Sequence, residues 1–261
     1  MGLRGPAELA LLDSASGKLL RRLRLPGAPR HLQLVMPNGP VLVPAENANA
    51  LLQVALPAGT LTSTPVLRQP HDATQIAGRI FVGNEFGDSV SVISGGKVVA
   101  SIGGFLQPGG VTAAGAELGV IDVRSDLLSL YDASTLRLIA RAVGGAGPTH
   151  AVSAGGRIYV VDTRGGAVRS FAAGPRKLTL LQRLALPGAP YGVAVDAARR
   201  RLWVTLTARN ELVQLAIGGR GLSEVARFAT GQQPNTVAID PSNGRVFVAN
   251  AASGTIQMIA P

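Results

Sequence analysis

"QPNTVAIDPSNGRVFVANAASGTIQMI" (residues 233–259) decides the fold. A proline leads into a short run, NTVAID, with Val237, Ala238 and Ile239 at its centre. Pro-Ser-Asn-Gly follows, a cluster of turn formers. A stronger β-type run comes next, RVFVAN, then a second turn, Ala-Ala-Ser-Gly, and a third run, TIQMIA. A helix would need apolar residues at i, i+3, i+4 and i+7, and this stretch shows runs and alternation instead.

The pattern recurs upstream. Pro29, Pro70, Pro108, Pro148, Pro190 and Pro234 stand 38–44 residues apart. A short strand follows each: RHLQLV, HDATQI, GGVTAA, THAVSA, YGVAVD, NTVAID. A second, stronger run comes next: PVLVPA, RIFVGN, ELGVID, RIYVVD, RLWVTL, RVFVAN. A third follows (SVSVIS, LLSLYD, ELVQLA), and a fourth ends near the next proline, as in KVVASI. Four short strands per roughly forty residues mark a β-propeller blade, a small sheet that buries its faces only against its neighbours. The expectation is an all-β, single-domain, six-bladed β-propeller over residues 1–261. Its closing blade is built from both termini: KLLRRLRL near the start pairs with TIQMIA at the end. ELALLD is then left over, either as an outer fifth strand on that blade or as the mark of a truncated N-terminus.

Composition limits the function classes. Hydrophobic residues make up 46% of the 261, enough for a sizeable core and against global disorder. There is no cysteine, hence no disulfide, thiolate nucleophile or Cys-ligated metal. The formal charge is +10, carried by 22 Arg and three Lys against 15 acidic residues. No block of five or six like charges occurs, so nucleic acid is not an expected partner. No apolar stretch is long enough to span a bilayer. The first residues, MGLRGPAELALLD, lack a signal peptide's apolar segment. That leaves a secreted or periplasmic protein in its mature form, or a cytoplasmic one. A monomer is expected.

The second strands carry a family resemblance. Phe81-Val82-Gly83-Asn84 and Phe247-Val248-Ala249-Asn250 resemble the Tyr-Val-Thr-Asn repeat of YVTN-type β-propellers, and residues 233–259 are similar to it throughout. Asp122, Asp162 and Leu206 depart from it at the Asn position. One blade, PHDATQIAGRIFVGNEFGDSVSVI, resembles the virginiamycin B lyase-like propellers through Pro70, His71, Glu85 and Phe86. That likeness implies a divalent metal and a lyase activity.

All three histidines lie just behind a repeat proline: His31 and His150 two residues after it, His71 one after. Proline cannot donate to a sheet ladder and suits a strand start. In a propeller the first strand is innermost, so these starts surround the mouth of the channel. His31, His71, Asp72, His150, Tyr191 and Asn235 are therefore the candidate ligand-binding residues. Arg30, Asn84, Asp122, Asp162 and Asn250 belong to the same polar funnel. His31, His71, His150 and Glu85 are the candidate ligands of a divalent metal, since imidazole and carboxylate suit such ions. Strict strand alternation would aim His71 away from the other two. Histidines at turns also bond to backbone, and Asn or Asp after a strand also stabilises the turn itself. The leading expectation is a binding scaffold for a small molecule, peptide or glycan at the funnel. The alternative is a metal-dependent lyase or lactonase on the same face.

Overall fold

The computed structural model describes residues 1–219 and 221–260. Seven antiparallel sheets follow one another along the chain, the blades of a β-propeller. The first holds β1 (Gly2–Arg4), β2 (Ala7–Leu12) and β3 (Leu19–Arg24), and the second β4 (Gln33–Leu34), β5 (Val41–Ala45), β6 (Ala50–Val54) and β7 (Leu61–Pro65). The third holds β8 (Pro70–Ile76), β9 (Arg79–Asn84), β10 (Ser89–Ser94) and β11 (Lys97–Gly103). The fourth holds β12 (Pro108–Ala114), β13 (Glu117–Asp122), β14 (Leu127–Asp132) and β15 (Leu138–Val143). The fifth holds β16 (Pro148–Ala154), β17 (Arg157–Asp162), β18 (Ala167–Gly174) and β19 (Lys177–Ala185). The sixth holds β20 (Pro190–Asp196), β21 (Arg201–Leu206), β22 (Glu211–Gly218) and β23 (Gly221–Ala229), and the seventh β24 (Pro234–Ile239), β25 (Val246–Asn250) and β26 (Thr255–Ile259). Within each sheet the strands lie in chain order. The chain divides into two compact units, Met1–Ser125 with Ala133–Leu136, and Asp126–Asp132 with Arg137–Pro261.

Seven blades correct the expected six, and the expected closing blade is not formed. KLLRRLRL contributes β3, which pairs with β2 in the first sheet, Leu23 opposite Leu9. ELALLD is no outer strand. It is β2, the middle of that sheet, with Gly2–Arg4 on its other side in register Gly2↔Leu9. TIQMIA contributes β26, which pairs with β25 in the seventh sheet. The strand that completes the first blade is three residues long and shows no alternation. It is held by its ladder and by the terminal ammonium, which donates to the Ala10 carbonyl at 2.8 Å.

The core lies where neighbouring blades face each other. In the first unit, Leu9 and Leu25 pack with Val41, Val43, Leu52 and Val54. In the second, Tyr159, Val161 and Val168 pack with Leu202, Val204 and Val213. Trp203 packs with Leu212, Val237, Val246 and Val248, the between-blade role its sequence context suggests. The hairpin joining β10 to β11 turns on Gly95 and Gly96, both at positive φ, as the favoured two-residue turn requires.

Five of the outer strands share a device that β7 lacks. The pairings of β3, β11, β15, β19 and β23 each skip one residue, namely Leu20, Val99, Ile139, Leu181 and Val225. Each is a β-bulge with an aliphatic side chain. Bulges twist an edge strand and spoil it as a template for another sheet.

Leu9 is 1% exposed and sits between the first two blades. Leu9→Ala is expected to lower stability by ~2–5 kcal/mol in urea unfolding, the range for emptying a packed leucine site. A loss below ~1 kcal/mol would mean that the first blade is not part of the cooperative core.

Candidate functional site

The start of each first strand has one construction. Pro70, Pro108, Pro148, Pro190 and Pro234 pair with the last residue of the neighbouring second strand: Asn84, Asp122, Asp162, Leu206 and Asn250. The residue after the proline is then skipped in the ladder: His71, Gly109, Thr149 and Asn235, with Tyr191 and Gly192 both skipped in the sixth blade. A bulge resets the alternation of side chains. The one-residue difference in offset therefore does not separate His71 from His31, and their ring centroids lie 4.7 Å apart.

In the first unit this construction assembles a polar cluster. The His71 Nδ1–H donates to the Gly109 carbonyl, which fixes the tautomer and leaves Nε2 as an acceptor. Arg30 Nη2 donates to that Nε2. The Glu85 Oε2 atom lies 3.7 Å from His71 Nε2 and 4.0 Å from Arg30 Nη2. Its other oxygen accepts from Gln107 Nε2 at 2.8 Å. The His31 backbone N–H donates to the His71 carbonyl at 3.1 Å. Asp72 accepts from Val111 N–H at 3.0 Å and from Ala73 N–H at 2.9 Å. Enclosure by protein pushes its carboxyl up from 3.8 to about 7, and the two N–H bonds only partly oppose this.

In the second unit, the His150 ring bonds through Nδ1 to the Tyr191 carbonyl at 3.1 Å and meets the Tyr191 ring edge-on at 4.6 Å. Tyr191 and Asn235, both bulge residues, line an open depression of about 400 Å³ with Thr207, Ala208, Gln233 and Ala251.

Several expectations need correction. His71 and His150, expected at the mouth of the channel as ligand-binding residues, are only 5% and 8% exposed. They bond instead to the first strand of the next blade, at Gly109 and Tyr191. Asn84, Asp122, Asp162 and Asn250 are buried and form no funnel lining. Asp122 accepts from Leu106 and Gln107 N–H, and Asp162 from Ala146, Gly147 and Gly165 N–H, while Asp162 also pairs with Arg169 at 3.2 Å. They clamp the loop that leads into the first strand. Gly145 of GGAGPTH serves that clamp, since a Cβ there would lie 2.3 Å from the Asp162 carboxyl carbon. Nor do the residues fit the divalent metal that the lyase-like resemblance implies. One His71 nitrogen is committed to Gly109 and the other faces a guanidinium. Among the described residues no three of His, Asp and Glu converge as metal ligands.

Gln107, Thr207 and Gln233 were not singled out by the sequence reading. A signal was present: Gln69, Gln107 and Gln233 each immediately precede a repeat proline. Gln69 and Gln233 share a positive φ and a backbone N–H donated to an Asn side chain, Asn49 and Asn210 respectively.

No family model matches the chain, and no curated protein matches it in sequence. Solved structures do match. The periplasmic gluconolactonase of Pseudomonas aeruginosa superposes with a TM-score of 0.78 at 21% identity, over 97% of this chain and 87% of that one. Streptogramin B lyase gives 0.80 at 14% identity, over 98% and 87%. Hydrazine synthase of Kuenenia stuttgartiensis gives 0.81 at 17% identity, over 97% and 89%. The chain is a β-propeller. At these identities the likeness carries the fold alone, and the YVTN-type resemblance rests on the residues quoted above.

Asp72 sets a pH dependence. Because its carboxyl is raised in the folded state, the stability it contributes is complete below about pH 4 and is lost as pH rises through about 7. Wild-type stability is expected to decline across that window, by ~4 kcal/mol as an upper bound. Asp72→Asn removes the titration, although its single oxygen cannot accept both N–H groups. Chemical denaturation at several pH values should show a flatter slope for the variant, and equal slopes would discard the assignment.

Proposed function

We propose that this propeller is a binding scaffold that takes a small polar molecule, peptide or glycan at the first-strand starts of its second unit. The observation that carries this reading is the depression lined by Tyr191, Thr207, Gln233 and Asn235. Its lining offers hydroxyl and amide groups and one aromatic ring, with no charge among the six residues. Such a set suits a neutral, hydrogen-bonding ligand stacked on tyrosine. Edge-on contact with His150 and the bond from His150 to the Tyr191 backbone hold the ring's residue in place, which reduces the ordering cost of binding. A secreted or periplasmic mature form accords with the reading. No helix of the described residues is long and apolar enough to cross a membrane.

A second reading is a lactonase or lyase acting in the first unit. The proximity of Glu85, His71 and Arg30 favours it, since a carboxylate beside an imidazole and a guanidinium can move a proton and steady an oxyanion. Two of the matched structures are a gluconolactonase and a streptogramin B lyase.

Titration calorimetry with neutral oligosaccharides and uncharged peptides tests the first reading. Tyr191→Ala and Asn235→Ala are expected to weaken any saturable binding by about tenfold each while the chain keeps a cooperative melting transition. Binding indifferent to both variants would move the site elsewhere. Turnover of gluconolactone or a cyclic depsipeptide, abolished by Glu85→Gln, would establish the second reading in its place.

A further inference from the structure

We propose that Arg30 anchors a second ligand site, in the first unit, for a carboxylate carried on an apolar body. The site is separate from the depression beside Tyr191 and does not depend on the reading given to it.

The charge of Arg30 is incompletely answered. Its Nη2 meets a neutral acceptor, because the Nδ1–H of His71 is donated to Gly109 and Nε2 is left with a lone pair. The facing carboxylate, Glu85, stays 4.0 Å from the guanidinium, beyond hydrogen-bond distance, and one of its oxygens is held by Gln107. Arg30 Nε is buried and has no hydrogen-bond partner. The exposed 27% of the side chain lies elsewhere, and there an incoming group can reach it.

The loops around this cluster add the second half. Leu67, Phe86 and Leu106 are exposed large apolar side chains on three loops, those joining β7 to β8, β9 to β10 and β11 to β12. The loops are stitched together. Glu85 N–H donates to the Gln69 carbonyl, and Gln107 reaches Glu85 from the third loop. A Cβ on Gly87 would lie 3.0 Å from the Leu67 Cβ, so the first two loops are in close contact. Phe86 adjoins Glu85 and Leu106 adjoins Gln107. Exposed apolar side chains thus stand on the same loops as Gln69, Glu85 and Gln107.

The chemistry selects a carboxylate over a phosphate. A guanidinium fork matches a planar monoanion in two parallel hydrogen bonds. A dianionic phosphate would bring more negative charge toward Glu85 than a carboxylate does. The net charge of +10 favours the approach of any anion. Glu85 then acts as a competitor that sets the affinity: an entering carboxylate takes over the guanidinium that Glu85 partly neutralises.

Titration calorimetry of the full chain with octanoate, octanol and octyl phosphate tests the site. Octanoate is expected to bind saturably below ~10 mM, with octanol and octyl phosphate about tenfold weaker or more. Arg30→Gln should weaken octanoate at least tenfold, and Phe86→Ala by about threefold to tenfold. Tyr191→Ala should leave the titration unchanged, which separates this site from the depression in the second unit. Glu85→Gln should tighten octanoate severalfold, and this gain of binding serves where Arg30→Gln fails to fold. Absence of saturable binding, equal affinity for octanol, or unchanged or weaker binding to Glu85→Gln would each overturn the proposal.

Discussion

A proline followed at once by an extra residue is the constraint on which this structure depends. The proline occupies a position where no N–H is needed, opposite the last residue of the second strand. The extra residue lets the first strand turn its carbonyl toward the blade before it. His71 and His150 use that carbonyl: each imidazole bonds across to the residue after the next blade's proline. Glycine makes the approach feasible where needed. A Cβ on Gly83 would lie 2.7 Å from the Pro108 carbonyl oxygen, and one on Gly192 would lie 2.9 Å from that of Asn235. Inner strands of adjacent blades are thus joined by backbone acceptors and ring donors, with little reliance on apolar packing at that point.

The same arrangement governs electrostatics. A histidine that donates Nδ1–H to a fixed carbonyl has its tautomer chosen by the fold. At His71 this leaves an acceptor toward Arg30, so imidazole and guanidinium coexist at hydrogen-bond distance without two facing cations. The buried carboxylates Asp122 and Asp162 are answered differently, by converging backbone N–H groups and, for Asp162, by Arg169 as well. Their burial is sustained because those donors satisfy them.

Much of the architecture was legible in the sequence, because strand alternation and turn residues recur with a proline period. The blade count was not, since Gly2–Arg4 is too short to show a period and the first blade has no proline start of its own. The proximity of His71 and Glu85 could be read from their places in one blade. Arg30 as the partner of His71 could not, because that contact joins residues 41 apart and depends on a bulge that shifts side-chain direction by one position. The burial of Asn84, Asp122, Asp162 and Asn250 was equally hidden. Polar residues at a strand end read as solvent-facing until the loop that folds over them supplies its N–H groups.

The unequal repeat lengths are confined to the hairpins. Pro65, Gly103, Val143, Ala185 and Ala229, the last paired residues of the fourth strands, each stand the same distance before the next proline. A residue gained or lost in a hairpin lengthens or shortens two paired strands together and leaves the entry to the next blade unmoved. Spacings from 38 to 44 residues can therefore coexist with one ladder pattern. The loops into the first strands keep their length and vary in composition, with Gln-Pro in three blades and Gly-Pro or Ala-Pro in others. Chemical diversity can accumulate at the rim while each sheet keeps its alignment.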